Sequence, residues 1–370
     1  MATTTDVGLG LIGCGAIGRL MYVPGAQALA HEGLRLVAVA DTIPERAHDM
    51  AAATGARAHG TYQELLDDPR VDAVVVATTI GTHFPIALAA IQAGKHVLLQ
   101  KPMATTVEDA TALIDAAHTA RVTLQVEPPH RMNPLAERAR QDIQRGLIGK
   151  VCLITARSAH NGPPDRPWFY FKEHGGSVIF DMGVHALTFA TGIGGPVRRV
   201  SATYTTSVPD RIISGKPVHL DIEDNALLTL EFASGALGSI ITNYCTVASL
   251  GPAYEVFGNE GTILLNGPQG AYLRFSSGGI LQRPGHEHEE LGWFTATQTS
   301  GHVARPLSLT TMSSNPTDPR LSSLAHFVMC LREGKEPEPS ATFARHTLDI
   351  MVSAARAASM GQTQTLTTTF

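Results

Sequence analysis

Three groups of residues in this sequence combine side chains and spacings with chemical use. The first is Lys101, within "VLLQKPMATT" at 97–106, where three apolar residues read as the end of a buried strand and carry Gln100, a single lysine and Pro102 to its tip. An ammonium held there can hydrogen-bond an oxygen and stabilise negative charge that develops on it. The second is Asp181 with His185, in a stretch that reads as a helix from about Ser177 to Thr191. That helix is apolar nearly all round, so it is expected to be buried, and these two are the ionisable residues on it. Their i, i+4 spacing puts both side chains on one face, about 6 Å apart. Two readings fit. The pair satisfies itself or nearby backbone, since an unpaired buried charge is costly, or the carboxylate orients a histidine that moves a proton near neutral pH.

The third group is Gly13, Gly15 and Gly18, in Gly-x-Gly-x-x-Gly spacing after the short apolar strand Val7 to Ile12 and ahead of a helical pattern. In a dinucleotide fold Gly13 permits the tight turn, Gly15 lets the backbone approach a pyrophosphate, and Gly18 lets the helix lie close to the strand. Ala16 and Ile17 sit at the helix N-terminus, whose N–H groups suit phosphate oxygens. A second strand, "LRLVAVAD", ends at Asp41, 23 positions beyond Gly18 and close to the ~20 expected for an acid that binds the adenosine ribose. Its charge would repel a 2′-phosphate, which favours NAD over NADP; as a second reading, Asp41 caps the helix that "DTIPERA" begins.

These residues imply the elements that must position them. "VDAVVVAT" reads as a third strand ending at Thr78 and Thr79, a helix follows from His83, and "KHVLLQKP" is a fourth strand. Strands and helices alternate through about residue 125, the pattern of a right-handed, mostly parallel sheet. Ligands bind outside the C-terminal strand ends of such sheets. Gly13, Gly15, Ala16, Ile17, Gly18, Asp41, Thr78, Thr79, His83, Gln100 and Lys101 are therefore the expected cofactor edge. Beyond residue 198, "RRVSATYTT", "NALLTLEF", "LGSIITNY", "YEVFG", "GTILLN" and "AYLRF" read as about six antiparallel strands. Two C-terminal helices follow, about 321–333 and 343–359, and are expected to pack across the domains.

At 370 residues the chain is long enough for two domains. The net charge is −5 and the basic residues form no run, which argues against nucleic acid. "MATTTDVGLGLIG" lacks a basic region followed by an apolar core, and no apolar run approaches ~18 residues, so a cytoplasmic protein with no membrane partner is expected. The four cysteines, Cys14, Cys152, Cys245 and Cys330, are too scattered for a Cys-x-x-Cys pair and read as reduced. No metal is expected: histidine spacings such as His-Glu-x-x-His do not occur, and "HEHEE" at 286–290 reads as a solvated loop.

Several motifs together resemble the Gfo/Idh/MocA oxidoreductases. "AGKHVLLQKPMATTVEDA" is similar to that family's Glu-Lys-Pro segment, "GGSVIFDMGVHAL" to its Asp-x3-His stretch and "YEVFGNEGTI" to its glycine hairpin; "GCGAIG" and "RMNPL…GLIGKV" also match. The resemblance implies an α/β plus α+β architecture. An N-terminal Rossmann domain, 1–127, would join a C-terminal domain, 128–370, built on a large open, mostly antiparallel sheet that serves in homodimers or homotetramers. It implies NAD-dependent hydride transfer at a secondary hydroxyl of a sugar, cyclitol or glycoside. In that reaction His185 is the general base, Lys101 stabilises the oxygen and Asp181 orients the substrate or the imidazole. A redox-neutral lyase or glycosidase that uses NAD transiently, and an inactive NAD-binding regulator, are the other readings.

Gln100 stands where the family has glutamate, which removes a negative charge beside Lys101 and is expected to lower the lysine's proton affinity. His130 is a candidate substrate contact and Arg131 a structural ion-pair partner. His160, Asn161 and Tyr244 are pocket candidates by position. Trp168 and Tyr170, in "HNGPPDRPWFYF", suit either a sugar-stacking lid or an inter-subunit loop.

Overall fold

Six parallel strands, β1 (Val7–Ile12), β2 (Leu34–Ala40), β3 (Arg57–His59), β4 (Ala73–Val76), β5 (His96–Leu99) and β6 (Leu124–Val126), lie in the order β3-β2-β1-β4-β5-β6. The computed structural model describes residues 6–127, 134–249, 251–265, 273–276, 292–295 and 319–370. Strand residues alternate between two cores, as the pleat requires. Leu9, Leu11, Val75 and Leu98 face one, and Ile12, Val74, Val76, Val97 and Leu99 the other. The first core is covered by α1 (Val23–Ala28) and α2 (Pro44–Thr54). The second is covered by α3 (Tyr62–Leu66), α4 (His83–Gln92) and α5 (Val107–Ala120). Strand order reverses between β1 and β4, which opens the crevice where ligands of such sheets bind.

The second half contributes α6 (Pro134–Gln144), β7 (Val151–Ala159), α7 (Val184–Gly194), β8 (Val197–Thr205), β9 (Asp210–Ile213), β10 (Lys216–His219), β11 (Asn225–Phe232), β12 (Leu237–Asn243), β13 (Tyr254–Gly258), β14 (Gly261–Leu265), β15 (Leu273–Ser276), β16 (Gly292–Thr295), α8 (Pro319–Glu333), α9 (Ala341–Met360) and β17 (Gln364–Thr365). Its sheet has nine strands in the order β16-β15-β14-β13-β7-β12-β11-β8-β17: the six runs read beyond residue 198, the central β7 and two more at the edges, β16 and β17. The extra edge strands are short, and β17 comes from the chain's last residues, where two residues carry no readable period. Pairing is antiparallel except between β7 and β12. One face packs on α7 and α9; the other exposes Leu227, Leu237 and Ile241. A separate hairpin, β9–β10, turns at Ser214 and Gly215, both at positive φ (51° and 74°).

The expected buried helix spans residues 178–194 and ends at Gly195, whose φ is +80°. Its first part, Ile179–Gly183, is a wide π turn in which the Val184 N–H reaches back five residues to the Ile179 carbonyl. Residues 172–194 are long and apolar enough to cross a bilayer, but most of that surface is buried in the protein interior. Helix α9 packs on α5, α7 and β8 and so joins the two halves. Helix α8 crosses back to the Rossmann sheet, where Leu324, Phe327 and Val328 enter the same core as Leu9, Leu11 and Tyr22.

Phe327 is fully buried, so Phe327→Ala is expected to cost about 3–5 kcal/mol and to weaken NADH retention. Urea denaturation followed together with NADH fluorescence measures both, and a loss below about 1 kcal/mol would show that α8 is not part of the nucleotide-domain core.

Candidate active site

The glycine turn after β1 shows three separate constraints. Gly13 has φ +100°, and a Cβ there would collide with the Ala77 carbonyl. A Cβ on Gly18 would meet the Gly13 carbonyl and Leu11, whereas Gly15 faces nothing within 4 Å. The first two hold the turn and helix against the sheet, and the third leaves room for a pyrophosphate. Ala16 and Ile17 begin the helix, which widens at Gly18–Tyr22 into a second π turn. Asp41 is fixed from both sides: Oδ2 accepts from the Cys14 N–H at 2.7 Å and Oδ1 from the Ile43 N–H at 2.9 Å. Ile43 occupies the cap position of α2, so Asp41 is not the helix cap. Its carboxylate ties β2 to the glycine turn.

Thr78 and Thr79 follow β4, and the Thr82 hydroxyl lies 2.8 Å from both Thr78 Oγ1 and the Thr79 carbonyl, the two acceptors within reach of its one proton. His83 differs from the expectation of a cofactor contact. It is buried, with Nδ1 2.7 Å from the Pro102 carbonyl and Nε2 3.2 Å from the Thr78 carbonyl. With one N–H in its neutral form, the imidazole donates to the closer Pro102 carbonyl in the turn after β5 and packs beside the turn after β4, and burial holds its pKa below the ordinary histidine value.

Lys101 leaves this edge towards the second domain. Its Nζ donates to the Asp181 carbonyl at 2.7 Å and to Asp181 Oδ1 at 2.8 Å. The Tyr244 hydroxyl donates to Asp181 Oδ2 at 2.9 Å. Burial on its own would raise the Asp181 carboxyl, but the Lys101 charge and these hydrogen bonds outweigh it and hold the pKa below the ordinary carboxylate range. Asp181 lies in the π turn, a local widening frequent at functional sites. Asp181 thus pairs with Lys101, 80 residues away in sequence. His185 is half-buried in the first turn of α7.

His160 stacks on Tyr244 with ring centroids 5.4 Å apart, and its Nδ1 accepts from the Gly162 N–H at 2.7 Å. That bond fixes the neutral tautomer with its proton on Nε2, and burial keeps the pKa lowered despite the opposing pull of Asp181. Asn161 is exposed beside it, with its carbonyl held by Arg211. Trp168 is half-buried and stacks on Phe169. Tyr170 corrects the lid expectation: it is fully buried, donates to the Pro163 carbonyl and packs edge-on against Tyr244. His130, Arg131 and the "HEHEE" loop lie outside the described residues.

Gln100 points away from Lys101. It is buried, and its Nε2 donates to Tyr22 Oη at 2.5 Å. The exchange of acid for amide is thus met by Tyr22, and the carboxylate beside the ammonium is Asp181. Next to Tyr22 lies Glu127, just after β6, buried and with one oxygen that has no hydrogen-bond partner among the described residues. Burial pushes its carboxyl up to about 7, against the opposing pull of the Ser323 and Tyr22 hydroxyls. The sequence reading missed Tyr22, Glu127 and the buried Arg211–Asp224 pair. Only the last had a readable signal, the Ser-Gly turn between "DRII" and "KPVH".

Open space at Gly15, a fixed acid after β2 and a lysine after β5 on the same sheet edge fit a dinucleotide, and fold and site together define a dinucleotide-dependent oxidoreductase. Residues 7–128 match the model of an oxidoreductase family with an NAD-binding Rossmann fold, and residues 136–264 match the GFO/IDH/MocA C-terminal domain. The chain belongs to the Gfo/Idh/MocA oxidoreductase family. It is 34% identical over 263 residues to the 1,5-anhydro-D-fructose reductase of Ensifer adhaerens, covering 69% of this chain and 74% of that one. It is 30% identical over 257 residues to the myo-inositol 2-dehydrogenase of Thermotoga maritima, with coverage of 69% and 74%. A solved structure of levoglucosan dehydrogenase with NADH and levoglucosan shares the fold, with a TM-score of 0.83 at 22% identity over 98% of this chain and 99% of that one.

Glu127 gives the protein a pH-dependent stability. Between pH 4.5 and about 7 the folded state holds a proton that the unfolded chain has released, so the stability present below pH 4.5 is lost as pH rises through 7, by roughly 3 kcal/mol. Urea denaturation at pH 5 and pH 8 should show this slope, and Glu127→Gln should flatten it. An equal slope in the variant would assign it to other groups.

Proposed function

We propose that this chain is an NAD-dependent dehydrogenase or reductase that acts on a secondary hydroxyl or ketone of a sugar, cyclitol or glycoside. One observation carries the reading: among the described residues, Asp181 takes two of the three Lys101 ammonium donors, which leaves one for an incoming oxygen at the seam between the cofactor edge and the second domain. Gly13, Gly15, Ala16, Ile17 and Gly18 would hold the pyrophosphate and Asp41 the ribose, with Thr78, Thr79 and Gln100 around them. NAD, when bound, supplies the hydride acceptor.

The chain's own residues then do the rest. Lys101 hydrogen-bonds the substrate oxygen and stabilises the charge that develops as its proton leaves. His185 takes that proton as general base, and Asp181 holds Lys101 in place. His160, Asn161, Tyr244 and Trp168 line the substrate side, and His130 is proposed as a further substrate contact. Lys101 and Arg211 are each paired with a carboxylate, which suits a neutral polyol more than an acid. The relatives named above, with the levoglucosan dehydrogenase of Pseudarthrobacter phenanthrenivorans, 27% identical over 300 residues, support a net redox reaction over a redox-neutral one. The four unpaired cysteines support a cytoplasmic setting. The exposed apolar residues Leu227, Leu237 and Ile241 on the open sheet face support a homodimer or homotetramer.

A screen of sugars, cyclitols and glycosides with NAD, read by NADH absorbance, tests the activity, and absence of turnover with every polyol would overturn it. With an active substrate, Lys101→Met is expected to lower kcat about 10²–10³-fold and His185→Ala about 10²–10⁴-fold, with NADH binding retained. Ile241→Asp is expected to shift the mass measured by light scattering to that of a monomer.

A further inference from the structure

Arg211 sits on β9 of the separate hairpin, whose other side chains are mostly exposed, yet its own side chain is only 8% exposed and that of Asp224 is 0% exposed. The guanidinium makes directed contacts on several sides. Nη2 donates to Asp224 Oδ2 at 2.8 Å, and Nη1 to the Tyr244 carbonyl at 2.9 Å and the Asn161 carbonyl at 3.2 Å. Nε donates to the Val208 carbonyl at 3.3 Å. Asp224 is engaged as fully. Its carboxylate accepts from the Ser207 N–H at 2.7 Å and the Val208 N–H at 3.0 Å, and its carbonyl accepts from the Tyr244 N–H at 2.8 Å.

The two residues therefore grip Tyr244 at both its N–H and its carbonyl, and the same guanidinium holds the turn that carries His160 and Asn161. A buried ion pair is weak evidence for stability, because a well-packed apolar pair often serves as well. What the planar fork adds is fixed donor directions, here pointed at two backbone carbonyls beside the site. We propose that Arg211 and Asp224 are a positioning pair for the reaction, setting Tyr244 against Asp181 and the 160–162 turn against the substrate, so that selectivity among polyols depends on a residue that touches none of them. This rests on the function proposed above. Bonds from the Ser207 N–H, Arg211 and the Val208 N–H outweigh burial and keep the Asp224 carboxyl below the ordinary range, so the pair stays charged.

The test compares Arg211→Lys, which keeps the charge and loses the fork, with Asp224→Asn and the wild type. Displacement of a reacting partner by about 1 Å can cost 10²-fold. Arg211→Lys is accordingly expected to lower kcat/KM about 10–100-fold and to narrow the preference between epimeric polyols, while NADH binding stays within about twofold, since the cofactor edge is untouched. A role in stability alone gives the opposite result: a lowered melting temperature with kcat, KM and epimer preference unchanged per folded molecule, which would overturn the proposal. A second readout does not need turnover. In a Trp293→Phe background, Arg211→Lys should raise acrylamide quenching of Trp168, which shares the loop that Arg211 holds, and unchanged quenching would count against the pair. If the wild type turns over no polyol, the functional reading fails, and the quenching measurement still decides whether Arg211 positions the loop that begins at the 160–162 turn.

Discussion

Lys101 and Asp181 come from different halves of the chain and meet in a nearly dry place, their side chains 16% and 11% exposed. Removing two charges from water costs several kcal/mol per ion unless the geometry repays it. Here repayment comes from a chelate of one ammonium by the carboxylate and carbonyl of the same residue, with Tyr244 on the remaining carboxylate oxygen. Loss of either partner strands a buried charge. The pair thus couples the position of the Rossmann edge to that of the second sheet.

The neighbouring residue works in the same way on the other side. Gln100 bonds Tyr22, in the π turn at Gly18–Tyr22, and Lys101 bonds Asp181, in the π turn at Ile179–Gly183. Successive residues of a strand end alternate in direction, so two adjacent side chains reach two helices that belong to different domains. His83 fixes the turn behind them through the Pro102 carbonyl. The segment 100–102 is held from three directions before any substrate arrives, which is the preorganisation that electrostatic stabilisation requires.

Much of this was legible in the sequence because it rests on local periodicity. The parallel strands, the glycine turn, the buried helix with Asp181 and His185, and the principal strands of the second sheet all announce themselves within windows of about ten residues. What was hidden depends on separation along the chain. Asp181 could be matched to His185 four residues on, whereas its bonds to Lys101 and Tyr244 depend on an approach that only the tertiary fold creates. His83 carries a side chain suited to ligands, and burial between two carbonyls gives it a different task. Gln100 looked like a lost charge because its outward direction was assumed, whereas the strand end turns it inward to Tyr22. Strand β17 is too short for any pattern, and although the Ser-Gly turn marks the hairpin of Arg211, most of its residues are exposed and nothing local marks the arginine as buried.

The place of α8 bears on how the molecule is made. Leu324, Phe327 and Val328 complete a core whose other residues lie between Val7 and Leu98. A ribosome that has released the whole Rossmann sheet has therefore not yet released the residues that close one of its faces. Until residues 319–333 are made, Leu9, Leu11 and Tyr22 have α1 and α2 against them but not α8, so a core that begins at Val7 is completed by residues more than 200 positions behind the last of its strands. The same dependence limits exchange between relatives: a Rossmann domain moved to another protein without residues 319–333 would arrive with that core lacking the Leu324, Phe327 and Val328 side chains.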